Sequence, residues 1–428
     1  MAEPSTVPTK AWVVTAAGMT VNLCLGILYA WSVWKAGLIA PKNVDPGAAM
    51  GEPNLGWNYL SDAQATWAYV ICGFTFALVM IPGGRLQDRF GPRIGATLGG
   101  LFLGLGCVVA GLMQNYLGLI LGFGVLGGIG MGLGYAAATP AAVKWFGPHK
   151  RGLIVGLVVG GYGAAAVYIS PLGETLVTQS GLTSSFVALG ILFAVVVVVA
   201  GQFLIMPPAG YIAPTIARAS HRPPIIGVDR SPGDVLKTWQ FYALVGLFIG
   251  SAQAGLLVIT NAKKMLNETA SAADGGATFF VANAWLLASF GGVVNALGRV
   301  GTGFYSDAVG RLNAYTINGL AAAVCIAVLP MVMASGSVPL LFLVVGVVFW
   351  QYGGTLALMP SIVADYYGSK NMGMNYGLVF LGWGIAFFVP QAGGYIKDLT
   401  GSLNGAFYMS AGLLATAVIA CRFVKRPV

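Results

Sequence analysis

Long apolar segments separated by short polar loops follow one another along the whole chain. Most have about 20 residues or more, enough to cross a hydrocarbon core of ~30 Å as an α-helix. The pattern predicts twelve membrane spans, so both termini should lie on one side of the membrane. The predicted spans are residues 11–34, 63–84, 94–113, 117–142, 152–177, 183–206, 238–260, 278–304, 314–334, 339–363, 376–395 and 405–421. We therefore expect an all-α membrane protein.

Composition supports this class. Of the 428 residues, 57% are hydrophobic and only 8% are charged, whereas a soluble domain has about 25% charged residues. The five cysteines fall within or at the ends of predicted spans. A disulfide framework is therefore not expected.

Lysine and arginine are unevenly divided between the two sides of the predicted membrane. With the N-terminus inside, the inner segments carry sixteen of these residues and the outer segments carry five. Cytoplasmic segments of membrane proteins hold such an excess of basic residues. We therefore expect both termini to be cytoplasmic and the protein to lie in a cell (inner) membrane. The net charge of +9 reflects this bias and attraction to membrane lipids, and it needs no nucleic-acid partner.

An internal repeat divides the chain into two parts. The segment GGRLQDRFGPR (83–93) aligns with GFYSDAVGR (303–311) at a constant offset of 219 residues. Between them, residues 207–237 form the longest inner loop and contain six prolines. We therefore predict two pseudo-symmetric six-helix bundles, residues 1–206 and 238–428, joined by a cytoplasmic linker at 207–237. Repeated half-chains with a site between them are typical of transporters.

Arg299 is the only ionisable residue of the predicted span 278–304. A charge at that depth costs several kcal/mol unless it faces a watery cavity or a partner. Asn295 and Gly292 share its helical face, which is small and polar, whereas Leu297 lies off that face. This pattern predicts an anion site. The alternative is an arginine that snorkels to the interface or pairs with a carboxylate for structural reasons.

The repeated loop motif also predicts a cytoplasmic gate. An aspartate near a helix end and basic residues on the adjoining turn can pair with a neighbouring helix, and so hold one conformation until the bundles rock. The candidate gating residues are Asp88, Arg89 and Arg93, with Asp307 and Arg311 in the second copy.

Several motifs resemble a known family. The segment GRLQDRFGPR (84–93) resembles the loop signature of the major facilitator superfamily. Other segments resemble signatures of the monocarboxylate transporters and the oxalate:formate antiporters. They are KWF (144–146), KRGL (150–153), GYG (161–163), GDVLKTWQF (233–241), Pro360-Ser361 with Asp365, and NYG (375–377).

The resemblance implies a carboxylate site around Arg299, which matches the arginine of span eight that binds the substrate carboxylate in this family. Tyr135 and Tyr352 match aromatic residues of the family's pocket. The alignment also adds Tyr29, Phe380 and Trp383 as weaker candidates. For all of these aromatic residues, ordinary helix packing is the alternative.

The sequence departs from the family at three positions. Trp383 stands where the oxalate:formate antiporters have a lysine of span eleven, so the pocket holds one cation and suits one carboxylate. Asn295 stands where monocarboxylate transporters have an aspartate implicated in proton coupling. Its side chain either donates a hydrogen bond to the substrate or accepts one from Arg299. Their lysine of span one aligns near Val33, and the nearest lysine here, Lys35, lies toward the outer end.

Together these features predict a secondary transporter of small monocarboxylates such as lactate or pyruvate, working by alternating access. Symport with a proton is the simplest scheme, because co-movement of one anion and one proton avoids work of ~2.3 kcal/mol per charge per 100 mV. Anion exchange is the alternative. No predicted span holds a cluster of His, Asp, Glu or Cys with catalytic or metal-ligand spacing, so we expect no enzyme activity, cofactor or metal, and we expect a monomer.

Overall fold

The computed structural model describes residues 7–39, 60–208, 210–213, 229–273, 277–368 and 370–427. Within these residues the chain is helical, and Ile39 and Leu60 form an isolated β-bridge. A 3₁₀ segment, Gly26–Ala30, and a π segment, Ile120–Gly127, connect α-helices. The α-helices are α1 Thr9–Leu25, α2 Trp31–Leu38, α3 Asp62–Phe90, α4 Pro92–Met113, α5 Tyr116–Leu119, α6 Gly128–Val143, α7 Pro148–Ala164, α8 Ala166–Gln202, α9 Pro232–Val235, α10 Trp239–Ala272, α11 Thr278–Ala282, α12 Leu286–Val309, α13 Arg311–Ala334, α14 Val338–Tyr367, α15 Met372–Ala386, α16 Phe388–Thr400 and α17 Asn404–Cys421.

Ten helical segments of the described chain are long and apolar enough to cross a membrane. The protein is therefore a multi-pass membrane protein. Two differences account for the ten segments found against the twelve spans predicted. The segment Leu153–Gln202 is one element of 50 residues, in which Gly181 interrupts the helix with φ 80° and ψ 171°. Helix α12, which carries Arg299, is not among the ten.

The predicted spans 278–304 and 238–260 differ in particular from the helices of the structure. The predicted span 278–304 is broken into α11 and α12 by a turn at residues 283–285, which an unbroken apolar pattern does not reveal. Helix α10 continues to Ala272, twelve residues past its predicted end at 260. Its extension carries Lys263 and Lys264, and both form ion pairs with the part of the chain before the linker. These ion pairs compensate the lysine charges, so the helix can continue past the end of the apolar segment.

The two copies of the repeat have the same local backbone. Gly91 ends α3 with φ 85°, and Gly310 ends α12 with φ 95°. The N–H of each glycine donates to the carbonyl oxygen four residues earlier, on Gln87 and Ser306, at 2.9 Å in both cases. Glycine adopts this conformation without the steric penalty that a Cβ atom brings. The structure therefore explains why the repeat retains glycine at this position.

Only part of the predicted linker lies within the described residues, since 209 and 214–228 fall outside them. Its second part contains the short helix α9, and the carbonyl oxygen of Arg230 accepts hydrogen bonds from the side chains of Asn371 and Asn375 at 3.0 and 3.2 Å. Below, "N-terminal half" means the chain before this linker and "C-terminal half" means the chain after it.

Helices of the two halves pack directly against each other. Helix α12 packs on α7 and α8, α3 on α15 and α16, and α10 on α2. Helix α12 also lies close to α14, because a Cβ atom at Gly298 would come within 2.5 Å of the carbonyl oxygen of Trp350. Small residues allow such close approach of membrane helices. This packing holds the Arg299 helix between the N-terminal half and α14.

Candidate functional site

Helix α12 presents its polar face to the protein interior. Arg299 is 5% exposed and Asn295 is 1% exposed, whereas Leu297 and Phe304 are 55% and 73% exposed. The side chain of Arg299 therefore does not snorkel to the helix ends. It lies where α12 meets the helices of the N-terminal half.

The Arg299 guanidinium donates three hydrogen bonds. Nε donates to Asn295 Oδ1 at 3.1 Å, Nη1 to the backbone carbonyl oxygen of Val159 at 3.0 Å, and Nη2 to the Tyr29 hydroxyl at 3.3 Å. All three acceptors are neutral, and no aspartate or glutamate among the described residues forms an ion pair with Arg299. A buried cation held only by neutral acceptors is a strong attractor for an anion.

A chain of hydroxyl and indole groups extends from Arg299 across the two halves. The Tyr29 and Tyr352 hydroxyls share a hydrogen bond of 2.8 Å, and the Trp383 Nε1–H donates to the Tyr352 hydroxyl at 2.9 Å. Tyr29 belongs to the N-terminal half, whereas Tyr352 and Trp383 belong to α14 and α15. Arg299 is therefore linked to both halves through neutral polar groups.

Aromatic rings form the other walls of the site. The rings of Phe380 and Trp383 stack with centroids 4.8 Å apart and an interplanar angle of 24°. Phe76 contacts Tyr135 and Trp383 edge-on, with ring centroids 5.4 and 5.1 Å apart. Such a wall favours an apolar group beside the cation.

These side chains enclose a small cavity. Its volume is ≈ 10 Å³, which is room for about one water molecule. A carboxylic acid would therefore enter only if aromatic side chains or whole helices move. The lining residues are Tyr29, Phe76, Tyr135, Tyr162, Arg299, Leu356, Phe380 and Trp383.

The structure brings all seven candidate binding residues together. Five of them line the cavity, Asn295 is hydrogen-bonded to Arg299, and Tyr352 is hydrogen-bonded to Tyr29. Sequence reasoning missed Phe76, Tyr162 and Leu356 as lining residues. Tyr162 could have been identified from the sequence, since it lies inside the GYG motif. Phe76 and Leu356 could not, because aromatic and aliphatic residues are common in membrane spans.

Gly163 of the same motif touches the site directly. A Cβ atom at this position would lie 3.2 Å from Arg299 Nε and 3.4 Å from Asn295 Oδ1. Glycine therefore lets the α7 backbone approach the guanidinium, and this approach allows the Val159 carbonyl to accept its hydrogen bond.

The candidate gating residues lie far along the helices from this site. Asp88, Arg89 and Arg93 are exposed, and the Arg89 guanidinium lies 5.1 Å from the centroid of the Phe90 ring. Among the described residues, the expected pairing of Asp88 or Arg89 with a neighbouring helix is not formed. In the second copy, Arg311 pairs with Asp307 at 2.7 Å.

Comparison with known proteins places the chain among transporters. Residues 12–390 match the family model of the Major Facilitator Superfamily. An uncharacterized MFS-type transporter, YhjX of Escherichia coli, is 26% identical over 89% of this chain and 87% of its own length. The oxalate:formate antiporter of Oxalobacter formigenes is 29% identical over 82% of this chain and 76% of its own. Monocarboxylate transporter 12 of Xenopus laevis is 23% identical over 85% and 82%. The chain therefore belongs to the major facilitator superfamily, whose members are transporters rather than enzymes.

Proposed function

We propose that this protein is a secondary transporter that carries a small monocarboxylate, such as lactate or pyruvate, by alternating access. The observation that supports this most strongly is Arg299, a buried guanidinium bonded only to neutral acceptors of both halves. A single carboxylate would neutralise it. The names of two relatives, an oxalate:formate antiporter and a monocarboxylate transporter, favour a carboxylate as the substrate.

The substrate carboxylate binds the guanidinium through two parallel hydrogen bonds. In doing so it takes the place of acceptors that now lie in the other half, the Val159 carbonyl and the Tyr29 hydroxyl. Asn295 holds Nε and so keeps the plane of the guanidinium fixed. The rings of Phe380 and Trp383 receive the alkyl end of the acid.

The pocket selects one carboxylate rather than two. Arg299 is the only cationic side chain that lines the cavity within the described residues. Trp383 occupies the position at which the oxalate:formate antiporters have a lysine. A second carboxylate group would therefore face an indole ring instead of a cation, and its burial without a partner would cost several kcal/mol.

Around this site we propose two six-helix bundles, residues 1–206 and 238–428, with twelve spans in total and cytoplasmic termini in a cell inner membrane. Two crossings within Leu153–Gln202 fit its 50 residues, because ~20 residues suffice for one crossing. Helix α12 forms a further crossing, since its 24 residues are long enough and its charge faces inward. In this scheme the monomer is the transporting unit, and Asp88, Arg89, Arg93, Asp307 and Arg311 gate the cytoplasmic side.

We propose proton symport as the coupling mode. The pair of one anion and one proton crosses without net charge and so avoids ~2.3 kcal/mol of work per 100 mV. Exchange of one anion for another is the second candidate, favoured by the similarity to an oxalate:formate antiporter. An exchanger carries an anion in both directions, so the Arg299 charge would be neutralised in every crossing.

Uptake into proteoliposomes separates the two modes. Labelled lactate is offered with an inward proton gradient, to vesicles with and without an internal anion. Gradient-driven accumulation in vesicles without an internal anion supports symport. Uptake that requires the internal anion supports exchange, and no saturable uptake of lactate or pyruvate in either case contradicts the proposed substrate class.

The role of Arg299 has a matched test. Arg299→Ala should abolish most uptake, because the carboxylate loses its only cation in the cavity. Arg422→Ala is the control, since Arg422 is exposed and only approaches Asn313 Oδ1 at 3.4 Å. Similar uptake rates in folded preparations of both variants would contradict the site assignment.

A further inference from the structure

A buried charge cluster lies at the end of the molecule where α3 begins, which we call the Asp62 end. Lys35 and Asp62 are 3% and 6% exposed, and they pair at 3.1 Å. Two residues of α10 join them from the C-terminal half. Lys264 Nζ lies 3.0 Å from the second carboxylate oxygen of Asp62, and Lys35 Nζ donates to Asn261 Oδ1 at 2.9 Å. The cluster therefore connects the two halves.

A second connection lies beside the first. The carboxylate of Asp398, at the end of α16, accepts hydrogen bonds from the backbone N–H groups of Asp62 and Ala63, both at 2.9 Å. These are N–H groups of the first turn of α3, where the helix dipole favours a negative charge. The Gln391 side chain donates to the Ala63 carbonyl oxygen at 3.1 Å. The start of α3 is thus held by α16 of the other half.

A third connection joins α10 to α8. Lys263 Nζ lies 2.5 Å from Glu174 Oε2, and the side chains are 21% and 15% exposed. The sequence gives no sign that Asp62 and Glu174 both pair with lysines of α10. Lys263 and Lys264 lie three and four residues after the predicted end of that span at 260.

The opposite end of the molecule, where α3 ends at Phe90, has different ion pairs. The ion pairs described there do not join the two halves: Asp234 pairs with Lys237 in the linker, Arg311 with Asp307 and with Asp365, and Arg426 with Asp365. The cross-half ion pairs of the described chain therefore lie at the Asp62 end.

We infer that Lys35, Asp62, Glu174, Asn261, Lys263, Lys264 and Asp398 form a latch that closes the Asp62 end and must open before an anion reaches Arg299 from that side. Removal of an α10 lysine removes a contact between the halves. Within the described residues, Asp62 keeps only Lys35 of its own half when Lys264 is lost, and Glu174 stays largely buried without its partner when Lys263 is lost. A charge that loses a buried partner is stabilised by water, so the loss favours the open state. The positions of lysine and arginine along the chain make this the outer end, so the latch would control exchange with the outside. This inference rests on the proposed alternating access.

Distances between spin labels test the latch without substrate. Labels at Gln179→Cys and Asn267→Cys, both exposed positions at this end, report the separation of the halves after the native cysteines are replaced by alanine. Lys264→Ala should add a population with longer distances. Lys237→Ala is the control, because Lys237 is exposed at the opposite end, where it pairs with Asp234 at 3.3 Å, and it should leave the distribution unchanged.

A charge swap distinguishes loss of an ion pair from general damage to the fold. Glu174→Lys alone sets two lysines against each other and should lengthen the distance, and the double variant Glu174→Lys/Lys263→Glu should restore the short distance. An unchanged distribution in both Lys264→Ala and Glu174→Lys would overturn the latch. So would failure of the double variant to restore the distance.

The latch and the proposed function can fail separately. If the distances do not respond while lactate uptake still depends on Arg299, the latch is wrong and the transport proposal stands. If the distances respond as expected but Arg299→Ala transports normally, the latch stands and the assigned site is wrong.

Discussion

A single methyl group added to α7 should weaken substrate binding without unfolding the protein. In Gly163→Ala the new Cβ atom would lie 3.2 Å from Arg299 Nε, so the guanidinium must shift by a few tenths of an ångström. A misplacement of 1 Å can cost about 10²-fold in a positioned site. For the smaller shift we expect a loss of about 3- to 10-fold in lactate affinity, which corresponds to about 0.7–1.4 kcal/mol.

Gly160→Ala is the matched control. It makes the same change on the same helix, about one turn earlier, where an added Cβ atom has no neighbour within 4 Å. Both substitutions introduce a better helix former, so neither should lower the thermal stability. The assay is the concentration dependence of initial lactate uptake in proteoliposomes. Equal half-saturation concentrations for the two variants would refute the claim that α7 positions Arg299 for the substrate.

Three further substitutions test other parts of the account. Arg299→Lys keeps the charge but removes the planar guanidinium that can donate two parallel hydrogen bonds to a carboxylate. Loss of one charge-assisted hydrogen bond, worth about 1.5–3 kcal/mol, predicts an affinity for lactate about 10- to 150-fold weaker. Affinity close to wild type in lactate titrations would show that the second hydrogen bond is not used. Trp383→Lys adds a second cation to the cavity wall and should strengthen competition by oxalate against labelled lactate, whereas unchanged competition would contradict the argument from a single cation. Gly91→Ala forces a Cβ atom into a backbone with φ 85° and ψ 165° and should cost about 1–3 kcal/mol of folding free energy, while Gly84→Ala, where an added Cβ atom meets nothing within 4 Å, should not; equal melting temperatures would count against strain at Gly91.

The candidate site was more predictable than its surroundings, for a physical reason. A charge inside an apolar span is costly, so Arg299 was visible in the sequence as an exception that needs an explanation. Its neighbours Asn295 and Gly292 followed from helical spacing. The aromatic residues did not follow from spacing, because aromatic side chains are common in membrane helices, and the resemblance to a family was needed to select Tyr135, Tyr352 and Trp383.

The latch was not predictable from local patterns. Lys263 and Lys264 follow an apolar run and look like interfacial residues, whereas in the structure they lie inside α10 and pair with carboxylates of the other half. Their partners Asp62 and Glu174 are 202 and 89 residues away along the chain. A single sequence gives the charge of each residue, but the partner depends on how two distant helices are brought together.

The break at Gly181 was predicted as a loop between two spans, and the structure shows why the loop can be so short. One glycine with φ 80° turns the chain within an otherwise continuous 50-residue helical segment. By contrast, the turn at residues 283–285 had no such signal, because Asn283 and the residues beside it do not interrupt the apolar pattern.

The proposed function depends on recognition of one carboxylate by the buried Arg299 charge. Competition of labelled lactate with lactamide, a neutral analogue of nearly the same size, separates recognition of charge from recognition of shape. We expect unlabelled lactate to suppress uptake and lactamide not to suppress it, even at high concentration. Competition by lactamide as strong as that by lactate would mean that the site recognises shape without charge, and Arg299 would then not be the group that selects the substrate.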